Sequence, residues 1–171
     1  MVYTFLDTCI LDELIRIPSF TDPVKSEQIH KEFKERRNRK EKLILPYSVM
    51  IEAGNHIAQI KNDTERLRCA KQFIEFLDMS YNQKSPWLLC TDGLDKSQID
   101  FISRHFQEIA MDLESGTGDI SIIYQYKVFS ERLGDIAEDI QIWSLDHHIV
   151  SLIAKLGLQK QRHKVQRRRN S

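Results

Sequence analysis

The stretch Val2-Tyr3-Thr4-Phe5-Leu6-Asp7-Thr8-Cys9-Ile10-Leu11 decides the fold. Its first five residues are a short run of strand formers with no room for a helical turn before Asp7. From Thr8 the apolar spacing changes. Cys9, Ile10, Leu14 and Ile17 follow a helical period, so a strand passes into a helix at a single acid. Leu43 to Leu45, stopped by Pro46, and Ile140 to Leu145, ending at Asp146, read as further short buried strands. Trp87 to Cys90 is a candidate fourth.

Helical patterns fill the intervals. Val24 to Lys42 is highly charged, with Ile29 and Phe33 as a thin apolar stripe. Ser48 to Ile60 is helical with Ser48 as the expected N-cap. Thr64 to Met79 and Lys96 to Leu113 are amphipathic, and their Ile and Leu positions are expected in the core. A helix from Asp119 to about Leu133 follows the break Ser115-Gly116-Thr117-Gly118, and a last one runs from His147 to Leu156, closed by Gly157. Short strands joined by long helical connections predict an α/β fold of three layers, with a mostly parallel central sheet flanked by helices.

The chain of 171 residues suits one domain, expected over 1–158, followed by a basic tail over 159–171. That tail, QKQRHKVQRRRNS, holds six Lys or Arg and no acid. The formal net charge is zero, so positions 1–158 carry 19 basic and 25 acidic residues, a body charge of −6. Such a body repels polyanions in general, and nucleic acid needs local patches or bound cations to approach it. No apolar run is long enough for a membrane span, and Asp7 within the first apolar run argues against a signal peptide. Cys9, Cys69 and Cys90 lack metal-ligand spacing and read as reduced thiols of a cytoplasmic protein.

In an open parallel sheet, ligands bind beyond the carboxyl ends of the strands. Four acids map to that edge. Asp7 and Asp146 end strands, Glu52 lies a turn into the helix after the second strand, and Asp119 opens a helix after a Gly-Thr-Gly loop. Each has an ordinary reading: Asp7 and Asp146 as helix caps, Asp119 as a first-turn acid, Glu52 as a helix residue. Together they form a carboxylate cluster that must protonate in part or share a cation. An oxygen-only set suits Mg²⁺ or Mn²⁺, and pairs of such ions cleave phosphodiesters. The absence of thiolate or triple-histidine spacing disfavours zinc.

Four stretches then resemble the motifs of the PIN-domain nucleases, a family with many toxin ribonucleases. FLDTCIL is similar to the first motif and LPYSVMIEAGNHI to the second. GTGDISIIYQY is similar to the third and IWSLDHHI to the fourth. The likeness spans residues 2 to about 156. It implies a divalent-metal-dependent endoribonuclease with Asp7, Glu52, Asp119 and Asp146 as metal and catalytic residues, and Asn55, Ser144, Thr8 and Thr117 in support. It also implies an RNA substrate, and an antitoxin protein and a homodimer as partners. Departures are the Lys- and Arg-rich stretch 18–42, His147 and His148 after the last acid, and the basic tail. A haloacid-dehalogenase reading is disfavoured because a second Asp is needed where Cys9 stands.

Arg36, Arg37 and Arg39, and in the tail Arg167, Arg168 and Arg169, are the nucleic-acid contact candidates. Interleaved Glu32, Glu35 and Glu41 make a solvated helix face the competing reading for the first three. His147 and His148 either touch the scissile phosphate or simply begin a surface helix. Two other functions stay open: a non-catalytic nucleic-acid- or protein-binding module on the same fold, and a structure-specific DNA nuclease, since metal–phosphate chemistry does not read the 2′-OH.

Overall fold

The computed structural model describes residues 1–92, 95–113, 116–133, 136–156 and 158. Among these are four strands and seven α-helices. In chain order they are β1 (Val2–Leu6), α1 (Thr8–Ile15), α2 (Pro23–Asn38), β2 (Lys42–Pro46), α3 (Tyr47–Ala58), α4 (Asp63–Tyr81) and β3 (Trp87–Cys90). Then come α5 (Lys96–Leu113), α6 (Thr117–Leu133), β4 (Asp139–Trp143) and α7 (His147–Lys155). All strand pairs are parallel, in the order β3-β2-β1-β4. This is the expected three-layer α/β architecture, and Trp87–Cys90 is its edge strand.

The period of two along each strand sorts side chains between the two faces. Leu6, Leu43 and Trp87 pack with Ile10, Leu14 and Ile29 of α1 and α2. Phe5, Ile44 and Cys90 face the other way, onto Phe129 of α6. Both faces are covered, which is why the strand sequences carry apolar residues in unbroken runs rather than alternating ones. A third cluster, Ile109, Ile120, Ile123, Ile149 and Leu152, ties α5, α6 and α7 together. Helix α3 touches α1 and α4 on one side and α6 on the other, so it bridges the two helical layers.

Several local expectations are corrected. Ser48 does not cap α3. The helix starts one residue earlier, after Pro46, and the Ser48 hydroxyl is buried without a hydrogen-bond partner. The fixed φ of Pro46 suits the entry to the helix, and the cap is made without a side-chain hydrogen bond. The last strand stops at Trp143, leaving Ser144, Leu145 and Asp146 as a loop. Leu67, Ile74 and Ile99 are exposed rather than core, because the apolar residues of α4 and α5 wrap more than one face. Gly157 and the tail 159–171, with Arg167, Arg168 and Arg169, lie outside the described residues.

The stretch 18–42 is part of the packed body. Ser26, Ile29 and Arg36 are buried along one stripe of α2, and Phe33 sits 5.7 Å from the Trp87 ring. Arg36 is thereby removed from the nucleic-acid candidates. Its guanidinium donates to Glu32 and Glu41 at 2.6 and 2.8 Å and lies 4.5 Å over Trp143. Thr4 and Gln141 also donate to Glu41, completing a polar network between α2 and the sheet. Arg37 and Arg39 are exposed, Arg37 over the Phe33 ring and Arg39 bonded to Glu41. Among the described residues, no helix is long and apolar enough to cross a membrane.

Candidate metal centre

The chain runs outward from β1 through β2 to β3, then returns to place β4 on the other side of β1. The β1–β4 boundary is therefore the topological switch point, where helices leave in opposite directions and a crevice opens at the carboxyl ends. Asp7 follows β1 and Asp146 follows β4, so both flank that crevice. Glu52 enters from the second turn of α3, and Asp119 from the first turn of α6.

Asp7 is 5% exposed. As the N-cap of α1 it accepts the Thr8 amide at 2.7 Å on Oδ1. Its Oδ2 accepts the Ser144 hydroxyl and the Cys9 thiol. Burial, then the Asp7 charge, pushes the Cys9 thiol up to about 12, so it stays a neutral donor. The Ser144 hydroxyl also accepts the Asp146 amide at 2.8 Å. One serine thus couples the carboxylate after β1 to the loop after β4. Asp146, exposed, caps α7 by accepting the His148 amide. The cap of α7 uses Oδ1 of Asp146, whereas at Asp7 the cap takes Oδ1 and the Ser144 hydroxyl and Cys9 thiol take Oδ2.

Glu52 is held by the Thr8 hydroxyl, which donates to its Oε2 at 2.8 Å. A Cβ on Gly118 would stand 3.0 Å from that same Oε2. The Gly in the Gly-Thr-Gly loop is what lets the start of α6 approach a carboxylate on α3. Asp119 accepts the Gly116 amide at 3.0 Å. Its carboxyl is nonetheless pushed up to about 6, first by burial, opposed by that amide, and then by the charges of Asp7, Glu52 and Asp146. Acids separated by 45, 67 and 27 residues in sequence therefore share one electrostatic field.

Of the supporting residues, Thr8 and Ser144 bond directly to the acids. Asn55 is exposed on α3 and Thr117 is exposed at the start of α6, and no side-chain bond joins either to the acids among the contacts described. Two residues went unread in the sequence. Asp12, 2% exposed, bonds through Oδ2 to Nδ1 of His56 at 2.7 Å, while its Oδ1 is buried without a partner. Burial, against the pull of His56 and with smaller contributions from Glu52 and Asp7, raises the Asp12 carboxyl to about 6. Asp12 is thus a fifth carboxylate at the rear of the site. The available signal was spacing: His56 stands one helical turn after Glu52, and Asp12 just over one turn after Asp7.

Among the described residues, no three His, Cys, Asp or Glu side chains already form a closed cage. The donor set suits a hard divalent cation all the same. Mg²⁺ takes one or two carboxylates and keeps several waters, and acids gathered from several segments are relieved by a shared positive charge. Compared with protein-family models and with curated proteins, the chain matches none.

Proposed function

We propose that this chain is a divalent-cation-dependent nuclease of the PIN-domain type, acting on RNA in the cytoplasm. The observation that carries the reading is geometric: Asp7 and Asp146 flank the switch point of the parallel sheet, Ser144 joins them, and Thr8 beside Asp7 donates to Glu52. A structural role alone gives no reason to gather four acids from four segments, since every added charge destabilises the others.

Asp7, Glu52 and Asp119 would hold one Mg²⁺ or Mn²⁺, and Asp146 would serve a second. When bound, such ions supply an activated water and stabilise the leaving oxygen of a phosphodiester. The protein's own residues set the geometry. Thr8 fixes Glu52, and Ser144 and the Cys9 thiol fix the orientation of Asp7. Gly118 keeps the approach to Glu52 open. The caps tie the carboxylates of Asp7 and Asp146 to the first turns of α1 and α7.

The test is cleavage of single-stranded RNA and DNA with Mn²⁺, Mg²⁺ and chelator, using Glu52→Gln and Asp119→Asn beside the wild type. The reading expects metal-dependent cleavage of RNA, lost in both variants while circular dichroism stays unchanged. Cleavage of DNA in preference to RNA would overturn the substrate, and full activity in either variant would overturn the site.

A further inference from the structure

Beside the four acids lies an open cleft of about 390 Å³ whose walls include Phe20, Lys25, Leu145, Asp146, His147 and His148. Asp146 belongs to both the cleft and the acid cluster, so the two adjoin. Besides Asp146, Cys9, Glu13 and Leu145, the lining presents an aromatic ring, an ammonium and two imidazoles.

Phe20 is a large apolar side chain left 39% exposed in the loop between α1 and α2. It is not loose. Its ring stacks on the His56 imidazole with centroids 3.8 Å apart and planes 13° apart. His56 is in turn held by Asp12, which is buried. A carboxylate, an imidazole and a phenyl ring therefore form a braced column ending at the cleft. The column fixes the plane of Phe20 while the ring still lines the cleft. Lys25 stands on the same wall, and the described contacts give its ammonium no acidic partner. Its neighbour in the cleft, Glu13, has its carboxylate already taken by the Ser26 hydroxyl and the Asp22 amide. Facing them, the imidazoles of His147 and His148 open the first turn of α7.

We propose that this cleft is a nucleotide subsite: it stacks one unpaired base on Phe20 and receives the adjoining phosphate from Lys25, His147 and His148. An aromatic face accepts any base, and a cation accepts any phosphate, so the ligand class is single-stranded nucleic acid rather than a particular sequence. The subsite rests on the nuclease reading, because it would carry the strand next to the bond that the acids cleave. A body with an excess of acids repels a polyanion, and Lys25 sets an ammonium of this cleft against that repulsion.

The experiment measures binding apart from cleavage. Fluorescence anisotropy is followed with short single-stranded RNA and DNA oligonucleotides in Ca²⁺, their intactness checked on a gel. Phe20→Ala is expected to weaken binding of both by about tenfold or more, the range one stacked base supplies, and Phe20→Trp to preserve it. Lys25→Ala is expected to lower the salt slope by about 0.7, the value of one phosphate contact on a single strand. A second arm keeps the wild-type protein and scans one abasic position along the oligonucleotide; a single position should reproduce the Phe20→Ala loss. Equal binding by Phe20→Ala, or no position-dependent abasic loss, overturns the subsite. Cleavage by the wild type with equal binding in Phe20→Ala leaves the nuclease reading standing without the subsite. Phe20-dependent binding without cleavage leaves the subsite standing without the nuclease.

Discussion

Asp119 provides the sharpest quantitative expectation. Its carboxyl rises from an ordinary value near 4 to about 6. At 1.36 kcal/mol per pKa unit, the ionised form is disfavoured by about 3 kcal/mol relative to the unfolded chain. The side chain is only half-buried, so solvent screening reduces this to about 1–2 kcal/mol. Replacing it by Asn removes the charge and keeps an oxygen to accept the Gly116 amide. In chelator at pH 7.5, Asp119→Asn is therefore expected to be more stable than the wild type. For a chain of this length that corresponds to about 2–8 °C in the unfolding midpoint. The sign follows from proton uptake. The folded wild type binds a proton with a pKa near 6, the unfolded chain with one near 4. Wild-type stability therefore rises as pH falls through about 6, and the gain is complete near pH 4. The advantage of Asp119→Asn should shrink accordingly at pH 5. Thermal unfolding followed by circular dichroism at both pH values measures it. A destabilised Asp119→Asn at pH 7.5, or an advantage independent of pH, would refute the claim that the fold disfavours the ionised form of this carboxyl.

Further outcomes follow from the same geometry. Mn²⁺ should raise the unfolding midpoint more at pH 7.5 than at pH 5.5, because below about 6 a proton competes for Asp119; differential scanning fluorimetry reads this directly. Ser144→Ala removes the hydroxyl that joins Asp7 to the Asp146 loop, and Mn²⁺ affinity by calorimetry should fall about 10–100-fold with little change in fold. Arg36→Ala leaves buried Glu41 with Arg39, Thr4 and Gln141 and should cost about 1.5–3 kcal/mol in denaturant unfolding, whereas Arg37→Ala on the exposed face should cost little.

The sheet and the acids were legible for different reasons. Apolar runs ending at Asp7, Pro46 and near Asp146 marked parallel strands because strands covered on both faces leave no polar alternation to confuse them. The acids were readable through place, each at a strand end or helix start. Pair contacts were not readable that way. The Asp12–His56 bond joins two helices 44 residues apart, and spacing from Asp7 and Glu52 marks each residue but not their pairing. Arg36 carried a misleading composition, surrounded by charges. Its spacing from Ile29 and Phe33 nevertheless placed it on the buried stripe, and burial prevailed over composition. Asn55 follows Glu52 by three residues yet is exposed, since a shared helix side spans an arc wide enough to include solvent. Phe20 sits in a loop bounded by prolines, where no periodicity exists to reveal the ring stack that braces it.

The most direct measurement is single-turnover cleavage of single-stranded RNA by the wild type and by Asp7→Asn, with Mg²⁺ or Mn²⁺ and with chelator. The proposed function predicts cleavage by the wild type only with the metal, and its loss in Asp7→Asn at an unchanged circular dichroism spectrum. Cleavage that persists in chelator, or an Asp7→Asn protein as fast as the wild type, would contradict it.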